Sequence, residues 1–140
     1  MFNPSREQVR QFFFDSWSKH KSGTPLSGME AKAVDIMLMH PEYHHFLDQP
    51  EQSADLEFTP ENGSINPFLH MSLHLALAEQ FAIDQPKGMR AELQRLIQRK
   101  ADLHEALHVA LECLGQAMWE SQRSGREPDG NAYLESLRRS

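Results

Sequence analysis

The sequence predicts an all-α protein, a single-domain helical bundle of four to six helices spanning residues 1–140. Three observations carry this expectation. Apolar residues recur at three- and four-residue intervals, no stretch alternates convincingly as a half-buried strand does, and cap and breaker residues punctuate the periodic runs. A chain of 140 residues is long enough for one core and short for a catalytic domain plus a substrate domain.

Asn3-Pro4 reads as an N-cap followed by proline at the first helical position, opening a helix with Val9, Phe12, Phe13 and Trp17 on it. Lys21 to Pro25 breaks that run. Ser27 and Glu30 have the spacing of a reciprocal capping box, after which Met29, Ala33, Ile36, Met37 and His40 share one helix face. Pro41 cannot donate to the carbonyl of Met37 and its ring clashes there, so the chain must kink or restart in a short turn over residues 41–48. Residues 49–65, with two prolines, a glycine and several acids, read as a long loop suited to a lid.

Asn66-Pro67 repeats the opening cap, and the helix that follows is apolar almost all round, as a central buried helix is. From Pro86 to about Ser124, Met89, Leu93, Leu96, Leu103, Leu107, Ala110, Leu114 and Met118 keep near-heptad spacing with one beat missing at Lys100. Asp102 and Glu105 repeat the capping-box spacing and favour a break near Lys100. Beyond Gly125 a loop leads to a short closing helix with Tyr133, Leu134 and Leu137.

A net charge of -6 and a pI near 5.7 exclude a general nucleic-acid binder, which needs a surplus of basic side chains to meet phosphates. The sparse basic run over residues 87–100 alternates with Met89, Leu93, Leu96 and Ile97 and reads as the solvated face of a helix. No segment approaches the ~20 apolar residues of a membrane span, and no basic and apolar leader opens the chain, so a soluble, cytoplasmic protein with no membrane partner is expected. Cys113 is the only cysteine, which leaves no internal disulfide, no Cys-x-x-Cys motif and no c-type haem attachment site.

Histidine is the unusual feature: eight residues, six of them in i, i+4 pairs. Residues four apart on a helix are offset by about 40° and 6 Å, so both imidazoles of such a pair reach one ion. His70 and His74 fall on a face with Leu73, Leu77 and Phe81, His104, His108 and Glu112 form a second row, and His40 and His44 flank the Pro41 kink. Brought together in an antiparallel bundle, His70, His74, His104, His108 and Glu112, with one of His40 or His44, make a transition-metal site. Imidazole-rich donors suit iron or zinc, in a mononuclear or dinuclear site with room for a small-molecule ligand. His20, His45, the methionines and Cys113 are left out of the ligand set, the last two as core filler.

"HEALH", residues 104–108, also matches the His-Glu-x-x-His string in which two imidazoles hold zinc and the glutamate activates water. Such peptidases need a substrate-aligning strand, which the sequence lacks, and the string leaves the other four paired histidines unused. In the bundle reading Glu105 caps the helix or orients an imidazole. A metal-free interaction or scaffold protein, with hydrogen-bonded or pH-sensing histidines, is the remaining alternative.

The strings "MFNPSR", "FFFDSW", "HPEYH", "NPFLHMSLHLA", "IDQPKG", "HEALH", "ECLGQAMWE" and "PDGNAYL" together resemble a small bacterial family, domain of unknown function 1841, over essentially the whole chain. The resemblance implies a bacterial cytoplasmic protein. It brings no catalytic residues, so the metal assignments rest on spacing alone.

Overall fold

The structure, a computed structural model, describes residues 6–54, 56 and 66–140. Among them lie eight α-helices and no strand: α1 (Arg6–Ser22), α2 (Gly28–Leu38), α3 (His44–Leu47), α4 (Pro50–Ser53), α5 (Pro67–Ile83), α6 (Met89–Lys100), α7 (Leu103–Ser124) and α8 (Gly130–Arg139), with a 3-10 turn at Pro41–Tyr43. The all-α class is as expected, but four to six helices is too few. The stretch read as turn and loop holds the single-turn helices α3 and α4, the second opened by Pro50, whose fixed φ and missing N–H suit a first helical position. The Asn3-Pro4 cap and most of the expected lid lie outside the described residues.

Contacts divide the chain into two units, Met1–Leu75 and Ala76–Ser140, with α5 running through the boundary. In the first, Phe13, Phe14 and Trp17 of α1 pack with Ala33, Val34, Ile36 and Met37 of α2, Leu47 of α3, and Phe68 and Met71 of α5. Met29, expected on the buried face of α2, is 37% exposed. The capping box is complete: Glu30 N–H donates to Ser27 Oγ at 3.3 Å and Ser27 N–H donates to Glu30 Oε1 at 2.9 Å. Arg10 is buried in α1, where its Nη1 donates to the carbonyls of Ser53 (3.1 Å) and Ala54 (2.8 Å) and its guanidinium lies 4.7 Å from the centre of the Phe68 ring. That single side chain ties the α4 turn to α1 while covering an aromatic face.

Asn66 caps α5 as expected, its Oδ1 accepting from the N–H groups of Phe68 (3.0 Å) and Leu69 (3.2 Å). In the second unit Ala101, in the left-handed region at φ 56°, ends α6, and Asp102 restarts the chain by accepting from the N–H groups of His104 and Glu105. The missing beat at Lys100 is therefore a true break. The near-heptad stripe is shifted on α7: Ala106, Ala110, Leu111 and Leu114 are buried, whereas Leu103 and Met118 are 55% and 39% exposed. Ala110 and Leu114 of the expected stripe are thus buried, and its two ends are not.

Buried Glu92 of α6 pairs with Arg95 and with Arg138 of α8, the latter at 3.6 Å, and Arg99 donates to the carbonyls of Leu137 and Ser140 at the end of α8. These contacts fasten the C-terminal helix to α6. Asp84 Oδ1 accepts from the N–H groups of Arg90 and Gly88 ahead of α6, which holds its carboxyl below the ordinary range. Among the described residues, no helix is long and apolar enough to cross a membrane.

Two stability predictions follow from these contacts. Asp102→Ala removes the α7 cap and lowers unfolding free energy by about 1 kcal/mol, while Asp102→Asn is nearly neutral, read as the denaturant midpoint at constant m-value. Arg10→Leu leaves the Ser53 and Ala54 carbonyls without their charged donor and costs about 2–3 kcal/mol; Arg10→Lys, which lacks the planar fork, does not restore it.

Candidate metal centre

Proline 41 sets the geometry of the first histidine. Helix α2 stops at Leu38, and His40 adopts non-helical angles of φ -126° and ψ 65°, outside the α region that a following proline disfavours. Its ring folds back on the helix it has left, and Nδ1 donates to the Ile36 carbonyl at 2.7 Å. A carbonyl only accepts, so Nδ1 carries the proton and, in the neutral ring, Nε2 carries the lone pair. That Nε2 is buried, and the residue is 1% exposed. Outer-shell donation from Nδ1–H to a carbonyl is the arrangement that fixes the tautomer of a metal-binding imidazole.

His44 does the reverse. Its Nε2 donates to the Met37 carbonyl at 2.7 Å and its ring lies 4.5 Å from that of Trp17, whose Nε1 donates to Asp48. The two histidines of this i, i+4 pair thus satisfy neighbouring carbonyls at the end of α2 through opposite nitrogens, and only His40 faces the histidines of α5. Of the two candidates that spacing left open, His40 belongs to the group and His44 to the Trp17 contact.

On α5, His70 and His74 lie one turn apart on a helix with buried Phe68, Met71 and Leu77. His74 is 3% exposed, and His70 is half-buried. Ring centres are 5.0 Å apart for His40 and His70, 4.8 Å for His40 and His74, and 4.8 Å for His70 and His74, each pair edge-on. One ring nitrogen from each of the three lies within 4.8 Å of those of the other two. Tetrahedral coordination at about 2.0–2.1 Å separates donors by roughly 3.4 Å, so modest side-chain rotation closes the trio around an ion.

Tyr43 was not a sequence candidate. It stacks parallel on His40, 3° between planes at 5.3 Å, and stands edge-on to His70 at 6.1 Å. Burial, with a contribution from the Glu42 charge, raises its pKa and keeps the phenol protonated. The signal was present in "HPEYH": after a proline-initiated 3-10 turn, the third residue of the turn returns to the residue before the proline.

In the second unit the His104 and His108 rings are 4.1 Å apart. His104 and Glu112 are exposed, whereas His108 is half-buried and its Nε2 is buried. The main-chain N–H of Glu105 donates to Asp102, which puts the glutamate of His-Glu-x-x-His in the first turn of α7, where an acid suits the helix dipole. The described residues contain no strand on which a peptide substrate would align. His20 and His45 are exposed, as expected, and Cys113 is half-buried with Sγ 3.5 Å from Ser140 Oγ.

No curated protein and no solved structure matches the chain. One family model, described as a domain of unknown function (DUF1841), matches residues 5–139, nearly the full length, and the chain belongs to that family.

Proposed function

We propose that the protein binds a divalent transition metal, iron or zinc, through His40, His70 and His74, in the cytoplasm. The observation that carries this reading is the convergence of three imidazoles, one from the residue before Pro41 and two from α5, with His40 already held in the tautomer that presents Nε2. Uncharged nitrogen donors suit borderline ions such as Zn(II) and Fe(II) and are poor ligands for Mg(II) or Ca(II). Three protein ligands also leave an open position, the arrangement of catalytic and sensing sites rather than closed structural ones.

In this reading Glu105 has a capping role and the site is not a peptidase centre.

Protein purified without an affinity tag or chelator is expected to bind one equivalent of Fe(II) or Zn(II) by elemental analysis and calorimetry. His40→Gln and His74→Gln should each weaken binding by more than the roughly 10–100-fold that loss of an outer-shell partner costs. His44→Gln should bind as wild type. Failure of the folded wild type to take up Fe, Zn, Mn, Ni or Cu would leave a metal-free histidine network and overturn the proposal.

A further inference from the structure

We propose that the cleft between α7 and α8 binds a small primary ammonium compound, a role independent of the metal reading above. The cleft has a volume of about 300 Å³, at the lower end of the range for small-ligand sites, so it suits a compact molecule. Its inner wall is formed by buried Tyr133 with half-buried Cys113, Ala117 and Ser136, and its mouth by exposed Glu120, Arg126, Glu127 and Asp129. An apolar body fits the first and a charged head the second.

The hydroxyl and thiol hydrogens of this wall are spent on the protein itself. Tyr133 Oη donates to Gln80 Oε1 at 2.8 Å, Ser136 Oγ to the Tyr133 carbonyl at 2.8 Å, Ser124 Oγ to the Ser121 carbonyl at 3.5 Å, and Ser121 Oγ to the Arg126 carbonyl. Ser140 Oγ gives its hydrogen to the Ser136 carbonyl at 2.7 Å, so the Cys113 thiol, 3.5 Å away, is the donor in its contact with Ser140. Burial raises the Tyr133 pKa, with a contribution from Cys113, and keeps the phenol in its donor role. The cleft is left rich in acceptors: hydroxyl lone pairs and the carboxylates of Glu120, Glu127 and Asp129. A ligand that brings N–H donors complements such a wall.

Charge points the same way. Among the described residues lining the cleft are three carboxylates and one guanidinium, that of Arg126. Glu120 is already answered by Arg123 and by Gln116, each at 2.9 Å. Asp129 is fixed as the α8 cap, its Oδ1 accepting from the Ala132 N–H at 3.1 Å, and one such bond leaves a carboxylate most of its acceptor capacity. A primary ammonium carries one positive charge and three donors, which Asp129 and Glu127 can share. Arg126 adds a place for a carboxylate, so the ammonium head belongs either to a simple amine or to an amino acid.

The experiment titrates the full chain with three probes of one carbon skeleton, isoamylamine, isoamyl alcohol and leucine, followed by amide NMR. Isoamylamine is expected to shift the amides lining the cleft saturably and to slow alkylation of Cys113 by iodoacetamide, while the alcohol does neither. The double variant Glu127→Gln, Asp129→Asn, in which asparagine keeps the cap, should weaken amine binding about tenfold or more. Glu135→Gln removes a carboxylate of α8 that pairs with Arg138 and Arg139 outside the cleft, and should change affinity by less than about twofold. Leucine binding more tightly than the amine, with the difference lost in Arg126→Gln, would support an amino acid as the ligand; weaker leucine binding would support a simple amine.

Equal binding of amine and alcohol would overturn the proposal. So would an unchanged affinity in the double variant, or the absence of any saturable shift at the cleft in the folded protein.

Discussion

The end of α2 at Pro41 is the constraint on which the candidate site depends. A helix leaves its last carbonyls without i+4 donors, and proline at the exit cannot supply one. Here the Ile36 and Met37 carbonyls accept from the N–H groups of Met39 and His40, both at 3.1 Å, and each takes a second donor from a histidine side chain, His40 through Nδ1 and His44 through Nε2. One backbone requirement thereby fixes the tautomers of both rings. His40, left with a buried Nε2, becomes a ligand candidate, and His44, with Nε2 engaged, becomes a partner for Trp17.

The second contribution comes from α5. An apolar helix buries most positions regardless of which face they occupy, so two imidazoles a turn apart are carried into the interior by the burial of Phe68, Met71 and Leu77 around them. There they converge with His40, so that three imidazoles share one place. Arg10 supports the same unit from the other side: by binding the Ser53 and Ala54 carbonyls it holds the chain downstream of α3 against α1 and keeps Phe68 covered. The metal reading unites these features, since an ion is the one partner able to accept lone pairs from several imidazoles at once.

Much of the fold was legible because its signals are local. Ser27-Glu30, Asn66, Asp102 and the stop at Lys100 act through contacts within four residues, and each lies where the sequence put it. The buried stripe of α7 was legible at Ala110 and Leu114 but not at its ends, where Leu103 and Met118 are exposed, nor at Ala106, whose small side chain carries little hydrophobic signal. In the candidate site, i, i+4 spacing identified His70 and His74 but could not separate His40 from His44. That choice turns on which ring nitrogen the helix end consumes, a matter of backbone angles after a proline. Tyr43 escaped notice for the same reason, since its stacking depends on the 3-10 turn that follows.

The most direct test is nitrogen-15 NMR of the imidazole side chains during Zn(II) titration. In the metal-free protein, His40 should show the Nδ1–H tautomer and His44 the Nε2–H tautomer. One equivalent of zinc should shift the ring-nitrogen resonances of His40, His70 and His74 together, leaving His20, His44 and His45 in place. Zinc-induced shifts confined to exposed His20, His45 and His104, with His40 and His74 unmoved, would contradict the account.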